Sequence, residues 1–335
     1  MKVFVTGHKG YIGAHLVELL KQAGHSVTGC DLGLFDDCAW EPVVPADRDL
    51  RKDVRDITPS DLAGQDCVMH LAAISNDPMG EVDAAATYAI NRDASIRLAQ
   101  LAKKVGVARF LFAASCSVYG AGQKLDLDES DPLNPLTAYA KSKIETEQAV
   151  SGLADRDFSP VYLRNATAYG HSPMLRIDLV VNNLLACAVA TGEIRIMSDG
   201  SPWRPLIHCR DIARAFVAFM NAPKEAIHDK AINVGGNREN YQVREIADEV
   251  RILVPNAEIT YTGEVGADPR NYRVKFDLLN TSLPNFKLEY NLASGMDELY
   301  RKLVDHGFSK KDWLGDQFVR LRILKARLDK LARVA

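Results

Sequence analysis

The segment YAKSK puts a phenol, Tyr139, four residues before an ammonium, Lys143. On a helix that spacing stacks the two on one face, so the cation lies beside the phenol. Lysine-bearing turns are common on exposed helices, and taken alone the pair reads as a solvated face. Its other reading is a base and the charge that tunes it. A tyrosine with a pKa near 10 is a poor base at neutral pH. Lowering it by about 3 units takes roughly 4 kcal/mol of differential stabilisation, within reach of two close positive charges in a water-poor site. Ser115, ending the apolar run RFLFAAS, is the hydroxyl that would hold a substrate oxygen against such a base.

A second positive charge is implied by the glycines. Gly7, Gly10 and Gly13 form TGHKGYIG between a β-rich run and an amphipathic run. A glycine at the turn and another where backbone meets phosphate let amide N–H groups and a helix N-terminus face a pyrophosphate. Asp31 closes the second β-rich run, eighteen residues past Gly13. A carboxylate there accepts hydrogen bonds from ribose hydroxyls and repels a 2'-phosphate. No Lys or Arg follows it until Arg48, so the cofactor reads as NAD(H) rather than NADP(H). Tyr139 would then take a hydroxyl proton as hydride leaves the same carbon.

These residues need a scaffold. KVFVTG, HSVTGCD, DCVMHLAA, RFLFAASCSVYG and PVYLRNATAYG read as buried strands, because their apolar residues run on without strict alternation. IGAHLVELLKQAG, DAAATYAINRDASIRLAQLAKKVG and AYAKSKIETEQAVSGLA have helical spacing. The alternation predicts an α/β fold, a Rossmann-type doubly wound parallel sheet with helices on both faces. Ser115 is then at a strand end, where open parallel sheets bind ligands, and Tyr139 begins the helix beyond it. After Gly170 the pattern loosens, with helices near 177–191, 211–221, 243–254 and 295–305 and strands at AINVGG, EITYTG and RVKFD. We read 1–170 as the dinucleotide-binding domain, with 206–240 returning to it, and 171–205 with 241–310 as a smaller α/β substrate lobe. Residues 311–335 read as a basic amphipathic helix, with Phe318, Leu321, Leu324, Leu328 and Leu331 near helical spacing. We expect it to pack on the protein body rather than on an anionic membrane.

Bulk properties narrow the setting. The 335 residues carry 41 basic and 44 acidic side chains, a net charge of -3, so no general attraction to nucleic acid is expected. The six cysteines are scattered, without a C-x-x-C pair, and read as reduced thiols rather than a metal site or disulfides. No signal peptide or membrane-spanning run is evident, which points to the cytoplasm.

In combination TGHKGYIG, the strand-end Asp31, SCSVYG and YAKSK, in that order, resemble the extended short-chain dehydrogenase/reductases. The chain is similar to the NAD-dependent sugar epimerase/dehydratase family, UDP-glucose 4-epimerases among them, from the first glycines to the helix near 305. The resemblance favours the base-and-tuner reading and makes Ser115, Tyr139 and Lys143 the catalytic set, with Tyr139 and Lys143 also touching cofactor. It implies that Tyr11 and Ile12 line the cofactor phosphates, Asp53 and Val54 meet adenine, Leu71, Ala72 and Ala73 flank the cofactor, and Asn91 is a structural and cofactor-side contact. Read from the residues alone, VMHLAA is equally a plain core strand and Asp53 equally a turn cap. For a nucleotide-diphosphate sugar it implies contacts from Ser75, Ser115, Ser117, Thr167, Asn183, Arg204 and Arg270, with Arg273 a rival to Arg270. Arg suits the diphosphate because its planar fork donates two hydrogen bonds. His208 and Asp211 read as structural, with Asp211 a helix N-cap, and His70 as a satisfied core histidine. A homodimer through the helix 83–103 and the helix from Tyr139 is also implied.

The chain departs from the family where LRNAT replaces LRYFN, putting Asn165 and Thr167 where an aromatic and a diphosphate-binding Asn are expected. Three reactions share such a scaffold: 4-epimerisation, 4,6-dehydration and net reduction of a keto-sugar. Dehydration needs an added acid/base pair, but Cys116 and Ser117 occupy those places. Cys116 is also one step off the position of a proton-transferring cysteine, and adjacent strand residues face opposite ways. The leading expectation is a nucleotide-sugar 4-epimerase with catalytic NAD, the alternative a keto-sugar reductase or dehydratase-like enzyme. Loops around 75–77 and Met197 are expected to choose the sugar.

Overall fold

The computed structural model describes residues 1–75, 77–80, 82–120, 124, 126–263 and 270–332. Seven parallel strands form the central sheet: β1 (Lys2–Thr6), β2 (Ser26–Asp31), β3 (Arg48–Arg51), β4 (Cys67–His70), β5 (Arg109–Ser115), β6 (Ser159–Asn165) and β7 (Lys230–Val234). Their order is β7-β6-β5-β4-β1-β2-β3. The period of two sorts each strand onto both faces. Val3, Val5, Met69 and Leu111 enter one core, while Phe4, Val68, Phe110 and Phe112 enter the other. Uninterrupted apolar runs are therefore what a sheet covered on both sides requires.

The first core is closed by α1 (Gly13–Gln22) through Leu16, Val17 and Leu20, and the second by α2 (Ala94–Lys104) through Leu98, Ala99 and Ala102. Helix α3 (Ala138–Ser151) starts at Thr137, whose hydroxyl accepts from the Ala140 N–H at 3.1 Å. The expected helix before α2 contains a π-helical stretch, Tyr88–Asp93. Within it Asn91 is fully buried, and its amide both accepts from the Ile74 N–H (2.8 Å) and donates to the Ile74 carbonyl (3.0 Å). The chain leaves the sheet at Ala166. Thr167–Tyr169, Trp203–His208 and Asn240–Gln242 form a separate three-stranded sheet.

Helices α4 (Val180–Thr191), α6 (Val243–Leu253) and α7 (Leu292–His306) enclose a third core around Leu184, Ile246 and Leu299. Between them in sequence, α5 (Cys209–Asn221) lies on the sheet, with Phe216 and Phe219 in the first core. The N-cap of α5 is His208, not Asp211, which is fully buried and accepts from the N–H groups of Glu289 and Tyr290. Asp211 therefore fixes the approach to α7. The C-terminal α8 begins only at Arg320, since Gly315 ends a short helix at Lys310–Leu314. Residues 333–335 of the expected tail helix lie outside the described residues, as does Asn76 of the loop 75–77. Among the described residues no helix is long and apolar enough to cross a membrane.

Candidate active site

The strand order reverses between β1 and β4, and the crevice this opens lies at the carboxyl ends of the sheet. Gly7, at φ +69°, turns the chain there, and a Cβ on it would meet the Ala72 nitrogen at 2.8 Å. A Cβ on Gly13 would stand 2.1 Å from the Gly7 carbonyl oxygen, so only glycine lets α1 start so close to the loop. Thr6 Oγ1 accepts from the N–H groups of Leu71 and Ala72, both at 3.1 Å, binding the glycine loop to the Leu71–Ala73 segment. Asp31 stands half-buried at the end of β2, where Oδ1 accepts from the Gly33 N–H at 2.8 Å. The basic residue of the loop, Lys9, spends its charge on Asp49 (2.8 Å) and Asp36 (3.4 Å). A glycine cradle, a helix start and Asp31 at the end of β2 fit NAD.

The other cofactor-side residues have structural occupations. Tyr11 is buried, and its hydroxyl donates to the Gly170 carbonyl at 2.6 Å, with Ile12 the N-cap of α1. Asp53 caps the turn at Val54–Asp56 and pairs with Arg55 at 2.8 Å, while Val54 is buried. His70 is a satisfied core histidine, bonded at 2.6 Å to Thr6 Oγ1 and to Ser95 Oγ, and burial lowers its pKa to about 3.

Beyond the crevice, Ser115 ends β5, where its hydroxyl accepts from the Ser117 N–H at 3.1 Å and favours the ionised form of the nearby Tyr139 phenol. Lys143, one turn on, puts Nζ 5.6 Å from the Tyr139 ring centre and 2.7 Å from the Ala113 carbonyl, to which it donates. Serine, tyrosine and lysine are thus gathered at one strand end. Their electrostatics differ from the simple tuner picture. Burial pushes Tyr139 up to about 12, with Asp77 adding to the rise, against the Ser115 hydrogen bond, Arg176 and Arg270. Burial also pulls Lys143 down to about 7, opposed by Glu147. Among the protein groups Arg176 and Arg270 favour the phenolate, but burial outweighs them.

Around this set the sugar-side residues are spread unevenly. Ser117 is buried, and among the described residues its Oγ has no partner; Asn165 donates to the Ala114 carbonyl at 3.3 Å, and among the described residues its own Oδ1 has none. Thr167 is half-buried at the start of its strand. Cys116 turns away into the core, donating to the Arg164 carbonyl at 3.1 Å, and burial pushes its thiol up. Asn183 donates to the Ile177 carbonyl at 2.9 Å. Arg204, 8% exposed, donates to the carbonyls of Trp203 (2.7 Å) and Arg270 (2.6 Å). Arg270 pairs with Asp77 and acts on Tyr139, whereas Arg273 is held by Asp126 at 2.6 Å. Met197 is exposed.

Two residues here have no signature in the sequence. Arg176 is buried, forms an ion pair with Asp178 (2.8 Å), and donates to Ser75 Oγ at 3.1 Å within electrostatic range of Tyr139. Asn182 is fully buried and accepts from the Gly170 N–H at 2.8 Å while donating to the Tyr11 hydroxyl (3.0 Å) and the Arg176 carbonyl (2.8 Å). It ties Tyr11 of the glycine loop to Gly170 and Arg176 ahead of α4.

A doubly wound sheet with serine, tyrosine and lysine beside its switch crevice defines a nicotinamide-dependent enzyme of the extended short-chain dehydrogenase/reductase type. The chain belongs to the NAD dependent epimerase/dehydratase family, whose pattern matches residues 3–235, and its cofactor is NAD. It is 29% identical over 342 residues to the UDP-glucose 4-epimerase of Mus musculus, covering 90% of this chain and 95% of that one. Among solved structures, MoeE5 in complex with UDP-glucose and NAD superposes with a TM-score of 0.77 at 25% identity, covering 91% of this chain and 99% of that one. TunA, an NAD-dependent NDP-hexosamine 5,6-dehydratase, superposes at 0.82 with 24% identity over 91% and 98%.

Proposed function

We propose that the chain is a nucleotide-sugar 4-epimerase that oxidises C4 transiently and returns hydride to the opposite face. The observation that carries this reading is the gathering of Ser115, Tyr139 and Lys143 at the end of β5, with Lys143 Nζ 5.6 Å from the Tyr139 ring centre. The likeness to UDP-glucose 4-epimerase supports the substrate class. NAD, when bound, supplies the hydride acceptor and a positive ring; Gly7, Gly10, Gly13 and Asp31 would hold it. Tyr139 is the base that takes the C4 hydroxyl proton and later gives it back. Ser115 holds the same oxygen by a hydrogen bond, and Lys143, about half charged at neutral pH with its pKa near 7, adds to the positive field when protonated. Ser75, Thr167, Asn183, Arg204 and Arg270 are the substrate side of the cleft.

The Ser117 hydroxyl is the neutral group beside the site, and the Cys116 thiol faces the core, which disfavours dehydration for want of an acid/base pair. Six free, buried cysteines are consistent with a reducing cytoplasm. Purified enzyme should interconvert C4 epimers of a nucleotide sugar without net change in NADH absorbance. Steady NADH consumption with a 4-keto-sugar makes it a reductase instead. Tyr139→Phe should lose at least about 100-fold in turnover while retaining bound NAD, the range expected for a general base; a near wild-type rate removes Tyr139 from the role.

A further inference from the structure

Asp77 is a carboxylate at the mouth of the site to which the 4-epimerase reading gives no task. It follows β4 at the carboxyl edge of the sheet, and its two oxygens are both engaged. Oδ1 accepts from Thr137 Oγ1 at 2.5 Å and Oδ2 from Arg270 at 2.6 Å. Thr137 caps the helix that carries Tyr139. Arg270 lies just before Tyr272 and Val274 of the first core, and its carbonyl accepts from the buried Arg204. The ion pair therefore joins the segment after β4 to residues 270–274 at the start of α3. A Cβ on Gly80, in the same turn as Asp77, would lie 3.1 Å from Tyr139 Cβ.

The strength of the pair decides what it can do. Arg164 and Glu147, with side chains only 7% and 6% exposed, form a bond that no ligand reaches. Asp77 and Arg270 are 14% and 26% exposed, a partly solvated pair whose modest net energy a better anion can overcome. A diphosphate is such an anion, with more charge and more acceptors for the guanidinium fork than one carboxylate.

We propose that Asp77 is an internal stand-in for the substrate diphosphate: it holds Arg270 beside the start of α3 until a nucleoside diphosphate takes the guanidinium. The inference rests on the nucleotide-sugar reading. Asp77 then acts as a positioning and specificity residue. It keeps Arg270 aimed, and its charge penalises any ligand that fails to bring an anion strong enough to replace it.

The test is calorimetric binding of UDP, GDP, CDP and dTDP to the NAD-loaded protein, followed with the tightest of the four. Asp77→Asn should bind that diphosphate about three- to tenfold more tightly than wild type, since the competing charge is gone while a Thr137 partner remains. Arg270→Gln should weaken binding, and Asp77→Asn should bring no gain in the Arg270→Gln background. Equal or weaker binding by Asp77→Asn, or the same gain without Arg270, overturns the stand-in alone. Failure of all four diphosphates to bind any variant overturns the nucleotide-sugar reading and the stand-in with it.

Discussion

Lys143 is buried against Phe112, 4.7 Å from its ring centre, with a carbonyl for a partner, and this has a cost that pH exposes. Its pKa falls from 10.5 to about 7 because burial penalises the ammonium more than Glu147 favours it. The unfolded chain keeps the proton up to about pH 10.5, while the folded chain releases it from about pH 7. Below that the desolvation penalty is present in full. Between the two values the unfolded state binds more protons, so stability rises with pH. We expect the rise to be on the order of a few kcal/mol. Lys143→Met should raise stability near pH 7 and flatten this rise, as read by thermal denaturation between the two pH values. An unchanged slope in the variant places the titration elsewhere.

At the scale of elements, the C-terminal segment does what its composition conceals. Phe318 is fully buried, and its carbonyl accepts from the Ile177 N–H at 3.0 Å. Arg320, 4% exposed, donates to the carbonyls of Met174 (3.0 Å) and Leu175 (3.2 Å) and lies 5.2 Å from the Phe35 ring centre. Ile323 packs with Ala14, Cys38 and Met174. The segment thus braces the start of α1, the loop after Asp31 and the run that seats Arg176. Arg320→Ala should cost about 2 to 4 kcal/mol by denaturant unfolding, because two buried carbonyls lose a charged donor. A loss below about 0.5 kcal/mol, the size usual for surface changes, denies the brace.

In sequence the segment is a basic helix with a leucine stripe, for which packing on the protein body is the expectation. Spacing does not reveal that a buried arginine and Phe318 do that packing, because their partners are backbone carbonyls far away in sequence. The same limit explains Asn182. The resemblance points to Asn183 for a diphosphate, whereas the role of Asn182 rests on Gly170 and Tyr11, which lie far away in sequence. The glycine loop, Asp31 and the order of Ser115, Tyr139 and Lys143 were legible because their spacing is local to one strand–turn–helix unit. Arg176 and Asp77 reach the phenol only through tertiary folding.

For the whole molecule, the homodimer implied by the family would join the helix 83–103 and α3. Their outer faces mix alanines with charge: Ala84, Ala85 and Ala149 are exposed, as are Gln100, Lys104, Lys141 and Gln148, and Arg92, just before α2, pairs with Glu145 of α3 at 2.9 Å. An obligate interface is usually more apolar, resembling a core cut in two. A seam of this composition gains from paired charges and bridging water, both weakened by salt. We therefore propose a dimer that is salt-sensitive rather than permanent. Light scattering should give a dimer mass at low ionic strength and a falling mass as salt is raised, with Arg92→Ala moving the transition to lower salt by unpairing Glu145 at the seam. A monomer mass at every salt concentration removes the dimer, and a dimer mass unmoved by salt moves the interface to a different face.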